Sequence, residues 1–92
     1  MIPNFTETGL LPPGIYECSL EDVRIRFTLN LKRKKLYEGL LGLLDELAKI
    51  HCKTIYLDGS FVTNKQLPSD IDICFDCEEE HWDFAILMMG DF

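Results

Sequence analysis

The sequence predicts a small α+β (mixed α/β) domain: a sheet of two to three strands against a long amphipathic helix, with an extended N-terminal arm. Three observations predict it. Leu36, Leu40, Leu43, Leu47 and Ile50 recur at helical spacing, and Tyr37, Leu41, Leu44 and Ala48 widen the same stripe. Residues 53–58 form a short β-branched and aromatic run, as strands do. Residues 70–77 alternate, with Asp70, Asp72, Cys74 and Asp76 on one face and Ile71, Ile73, Phe75 and Cys77 on the other. Ninety-two residues suit a single domain, read as an arm over 1–18 and a core over 19–92.

The arm holds three of the four prolines, and Pro12-Pro13-Gly14 forbids a helix there. Its apolar residues, Ile2, Phe5, Leu10, Leu11, Ile15 and Tyr16, predict that it packs along the domain. Ser19, followed by Glu21 and Asp22, reads as the N-cap of a short helix over about 20–28. Asn30 reads as the cap of the long one. The run Lys32 to Lys35 then places positive charge in a first helical turn, where the macrodipole disfavours it. It is either a solvated turn or a basic edge for phosphates.

After the strand ending at Asp58 come Gly59-Ser60 and a connection from Phe61 to Ser69, with room for one helical turn. Glu78 to Trp82 reads as a helix start, since carboxylates suit an N-terminus. The run Phe84 to Met89 is either the end of that helix or a third strand.

Net charge is −7 and unevenly spread: residues 1–57 carry +1, and residues 58–92 carry −8 with Lys65 as their one base. That distribution excludes an overall basic face for duplex DNA. It suits either a cation site or a surface that docks on a basic partner. No run approaches the ~20 apolar residues of a membrane span, and Met1 to Asn4 do not open a secretory signal. The expected compartment is cytoplasmic. The four cysteines are too few and too irregular for a disulfide scaffold, and Cys74 and Cys77, three apart on a strand, point to opposite faces. Buried thiols are the expectation.

The chemistry concentrates at two points. Asp70 and Asp72, two apart on a strand, project from one face about 6–7 Å apart, a like-charge pair that a cation would neutralise. Carboxylates supplemented by phosphates are what Mg2+ takes. A strand ending in Gly59-Ser60 offers a phosphate backbone N–H groups and a hydroxyl, with glycine permitting close approach. Nine residues separate the two features.

With that spacing, the stretch Leu57–Ile73 (LDGSFVTNKQLPSDIDI) resembles the nucleotidyltransferase (DNA polymerase beta-like) superfamily in its minimal bacterial and phage form. The arm, with Ile2 to Phe5 and Leu10 to Gly14, is similar to an uncharacterised nucleotidyltransferase-like group that joins such an arm to this motif. The resemblance implies that Asp70 and Asp72 are catalytic and hold two Mg2+ ions. It implies that Gly59 and Ser60 hold the β- and γ-phosphates of an NTP, with Lys65 as a nearby cation. It also implies transfer of a nucleoside monophosphate to a protein or RNA hydroxyl, releasing pyrophosphate.

Active members of that superfamily carry a third carboxylate on a later strand. The later candidates here are Asp83, within the expected helix, and Asp91, one residue from the end, where a strand is expected to fray. A second function class therefore stands beside the enzyme: a non-catalytic binding protein on the same scaffold. It would be an antitoxin paired with a toxin, or a phage inhibitor of a nucleic-acid-dependent defence enzyme, engaging a basic surface through its acidic half. The last strand is expected to leave an unpaired sheet edge, which would favour a homodimer.

Overall fold

The computed structural model describes residues 2–50, 54–76 and 85–90. Strand β1 (Ile15–Cys18) leads into helix α1 (Leu20–Phe27) and helix α2 (Leu31–Lys49). Strands β2 (Thr54–Asp58), β3 (Asp72–Asp76) and β4 (Ala85–Met89) follow, with a 3-10 turn at Ser60–Val62 after β2.

Both helices start where their caps dictate. Ser19 Oγ accepts from the Asp22 N–H at 3.1 Å, and the Asp22 carboxylate accepts from the Ser19 N–H at 3.1 Å, a reciprocal capping box. Asn30 Oδ1 accepts from the Arg33 N–H at 2.9 Å and opens α2. Of the helical stripe, Leu40 and Leu47 are buried, and Leu36, Tyr37, Leu43 and Leu44 pack half-buried around them. Leu41, Ala48 and Ile50 are exposed, Ile50 at 61%, so the buried face is narrower than the apolar spacing predicts.

The α+β reading holds, but among the described residues the sheet has four strands where two to three are predicted, in the order β1-β4-β2-β3. The extra strand is the end of the arm: Ile15–Cys18 pairs antiparallel with β4, from Ile15↔Met89 to Cys18↔Ile86. The run after Phe84 is a strand, parallel to β2 from Thr54↔Ala85 to Leu57↔Met88. It therefore lies inside the sheet, flanked by β1 and β2, and the edges are β1 and β3. The unpaired edge expected at the last strand is absent because the arm covers it.

The core lies between the helices and one sheet face. Ile55, Leu57, Ile86 and Met88 from the strands meet Val23, Phe27, Leu40 and Leu47 from the helices, with Leu11 of the arm and Phe61 and Val62 of the 3-10 turn. Each such side chain contributes about 1.5–3 kcal/mol on burial. Strand alternation sends Tyr56, Asp58, Asp72 and Cys74 to the other face, where Asp58, Asp72 and Cys74 are exposed. The arm packs as predicted: Leu11 is buried, Arg26 Nη2 donates to the Pro3 carbonyl at 2.8 Å, and the Gly90 N–H donates to the Gly14 carbonyl at 2.7 Å.

Candidate functional site

Strands β2 and β3 pair antiparallel from Thr54↔Asp76 to Asp58↔Asp72. The last residue before Gly59 therefore lies directly across from the second aspartate of the Asp-x-Asp pair. Gly59 turns the chain out of β2 with φ +82°, a left-handed value that favours glycine. Space demands glycine as well: a Cβ there would strike the Asp72 carboxylate, 2.9 Å from its Cγ. The two halves of the motif thus meet, with the Gly59 backbone against the Asp72 side chain. The Gly59 N–H itself donates to Asp58 Oδ1 at 2.7 Å.

Asp70 sits less regularly than the alternation predicts. Strand β3 begins at Asp72, so Asp70 belongs to the approach to the strand and not to its ladder. Pro68 and Ser69 precede it, and a proline cannot donate to a ladder. Asp58, Asp70 and Asp72 are all exposed, Ser60 is half-buried and Lys65 is exposed.

The connection after the turn is held from the inside. Arg33 is 4% exposed, and its guanidinium donates to four carbonyls: Phe27 at 3.3 Å, Phe61 at 2.7 Å, Thr63 at 2.6 Å and Lys65 at 2.6 Å. Burial away from water pushes its pKa down. Lys32, Lys34 and Lys35 are exposed, as a solvated turn expects, whereas Arg33 departs from both readings of the basic run by turning inward. Asn30 adds a bond from Nδ2 to the Gln66 carbonyl at 2.6 Å. Across the connection, the Asn64 N–H donates to the Gly9 carbonyl of the arm at 3.0 Å, and Thr63 Oγ1 donates to the Ser60 carbonyl at 2.7 Å.

A cavity of about 190 Å³ opens beside Gly59, walled by Leu10 and Leu11 of the arm, Val62, Met89, Thr63 and Asp58. A second, of about 430 Å³, lies between Phe5, Arg26, Asn30, Arg33 and Gln66. The two arginines and Asn30 that line it already donate to backbone carbonyls.

Among the described residues, no three His, Cys, Asp or Glu side chains are grouped so as to enclose a metal ion. Asp70 and Asp72 are two carboxylate donors of the kind that water or phosphate oxygens supplement around Mg2+. Asp83 and Asp91, the expected third carboxylates, lie outside the described residues, as do His51, Cys52, Cys77, Glu78 to Glu80, His81 and Trp82. Of the described cysteines, Cys18 is buried as predicted, its pKa pushed up to about 11 by burial and then by the Asp22 charge. Cys74 is exposed, because it falls on the polar face of β3.

Two residues escaped sequence reasoning. Asp58 joins the corner by its register with Asp72, and its position against Gly59 was the one signal of it. Arg33 had no signal beyond being the arginine within a run of lysines.

The family described as a family of unknown function (DUF6932) matches residues 3–90, and the chain belongs to it. No curated protein and no solved structure matches the chain.

Proposed function

We propose that this member of the DUF6932 family binds a nucleoside triphosphate with Mg2+ at the corner formed by Gly59, Ser60, Asp70 and Asp72. In this reading it transfers the nucleoside monophosphate to a protein or RNA hydroxyl. The observation that carries the reading is the seating of the Gly59 backbone against the Asp72 carboxylate, in register with Asp58. Like charges directly opposite in an antiparallel pair are destabilising, so the Asp58–Asp72 register is a cost that a bound cation offsets.

Asp70 and Asp72 would hold Mg2+, which when bound neutralises phosphate charge and favours in-line displacement. Gly59 leaves room for the Asp72 carboxylate to lie against the backbone, and the Ser60 hydroxyl would donate to phosphate oxygens. Lys65 supplies a positive charge on the connection. The acceptor oxygen forms a bond to the α-phosphorus, the bond to the bridging oxygen breaks, pyrophosphate departs, and the acceptor proton passes to a carboxylate or water.

The charge of −8 carried by residues 58–92 favours a second reading, in which the same scaffold binds without turnover. It would then act as an antitoxin or a phage inhibitor, through its acidic second half against a basic protein. Calorimetric titration of Mg2+ with each NTP into the wild type and the Asp70→Asn/Asp72→Asn double variant separates these. The nucleotide reading expects binding by the wild type and none by the double variant. Absence of heat with every NTP in the wild type sinks it.

A further inference from the structure

We propose that Arg33 is the positioning residue of the Gly59-Ser60 turn: it fastens the connection after the turn to the start of α2 and so holds Gly59 against Asp72. The proposal deepens the nucleotide reading and rests on it for its ligand. Arg33 stands at the third position of α2, where the macrodipole disfavours a cation. It is buried, and among the described residues no carboxylate is one of its hydrogen-bond partners. A buried charge is costly unless its donors are satisfied, and here they are satisfied by one segment above all. Three of the four accepting carbonyls, those of Phe61, Thr63 and Lys65, belong to the nine residues between Ser60 and Asp70.

The alternation of those acceptors is informative. Carbonyls of residues 61, 63 and 65 converge on one guanidinium, whose planar fork presents five donors in fixed geometry. A lysine in the same place has three donors on a single atom and cannot span them. The Phe27 and Phe61 rings, with centroids 5.9 and 5.4 Å from the guanidinium carbon, pack beside it. The turn is tied on its far side by the Asn64–Gly9 bond to the arm. Arg33 thus works beside two other fasteners, the Asn30–Gln66 and Asn64–Gly9 bonds, and is the one that gathers three carbonyls of the connection.

The test compares Arg33→Lys and Arg33→Met with Leu47→Ala, a core change on the same helix whose side chain is not part of the connection's hydrogen bonding. Hydrogen exchange is followed at the amides of Val62, Thr63, Asn64 and Lys65 and at those of β2, and Mg2+-ATP affinity is measured by calorimetry. Both Arg33 variants should lose protection at 62–65 by roughly tenfold or more while β2 is unchanged. Their Mg2+-ATP affinity should fall by roughly tenfold or more, while Leu47→Ala leaves affinity unchanged. Should Arg33→Met fail to fold, Arg33→Lys carries the same comparison. Unchanged exchange at 62–65 overturns the fastening, and a loosened connection with wild-type affinity overturns the positioning role. If the wild type takes no Mg2+-ATP, the nucleotide reading falls by itself. Arg33 is then decided by exchange: selective loss supports the fastening, and uniform loss or none overturns it.

Discussion

Arg33 and the carboxylates Asp58, Asp70 and Asp72, which flank the same connection in the chain, treat charge in opposite ways. Inside, one guanidinium is buried and donates to four backbone carbonyls. Outside, three carboxylates stay exposed, two of them across from each other on adjacent strands. A charge whose donors are spent on the backbone is architecture. Charges left in water beside a glycine turn remain open to a ligand. The connection between them converts the first into the geometry of the second.

The sharpest way to break this contrast is to remove the wall behind the buried cation. Phe27 is buried, with ring centroids 6.0 Å from Phe5 and 5.8 Å from Phe61. Phe27→Ala should cost about 3–5 kcal/mol, read as a lower denaturation midpoint. A loss under ~1 kcal/mol would show that the inner side is not packed as described.

Gly59→Ala attacks the boundary between the regions. The left-handed backbone and the clash with Asp72 together should cost about 1–3 kcal/mol, and Mg2+-ATP binding should disappear. A variant of wild-type stability would mean that the turn does not press against Asp72.

Exposure alone does not make a carboxylate available, and Asp22 sharpens that point. It is exposed, yet its pKa is held below the ordinary 3.8, first by the Ser19 backbone N–H that donates to it. Ser19→Ala should cost about 0.5–2 kcal/mol through the lost cap. The pH sign follows from the lowered pKa: the contribution is full above the unfolded value and is lost as pH falls through the folded one. The stability gap between wild type and Asp22→Asn should accordingly stay level near neutral pH and close in acid below about pH 4. A gap that widens in acid would contradict the capping box.

The smallest effect belongs to the corner itself. Asp70→Asn/Asp72→Asn should change stability by no more than about 0.5 kcal/mol, with a gain favoured by relief of the Asp58–Asp72 repulsion. Nucleotide binding should nonetheless be lost. A large destabilisation would place these carboxylates in the architecture with Arg33.

Much of this arrangement is legible in the order of the residues. Ser19 and Asn30 cap the helices because short polar side chains satisfy first-turn amides wherever they precede a helical stripe. The β2–β3 pairing follows from two short strands separated by a connection containing glycine and proline. Other features are not legible there. Ile15–Cys18 is too short to announce itself as a strand after Pro12-Pro13-Gly14, and it becomes one only because β4 offers a free edge. The stripe of α2 runs past its buried face, since periodicity reports which residues could be covered and not which are.

The sequence by itself determined the two helices and their caps, strand β2, the polar face of β3 and the spacing of Gly59-Ser60 from Asp70 and Asp72, because these depend on neighbours within a few residues. Only the tertiary structure decided that β4 lies between β1 and β2, that Asp58 faces Asp72, and that one arginine in a basic run turns inward. Those outcomes join residues 14 (Asp58 and Asp72) to 74 (Ile15 and Met89) positions apart. What selects them is which surfaces remain to be buried and which carbonyls remain to be satisfied once the elements meet.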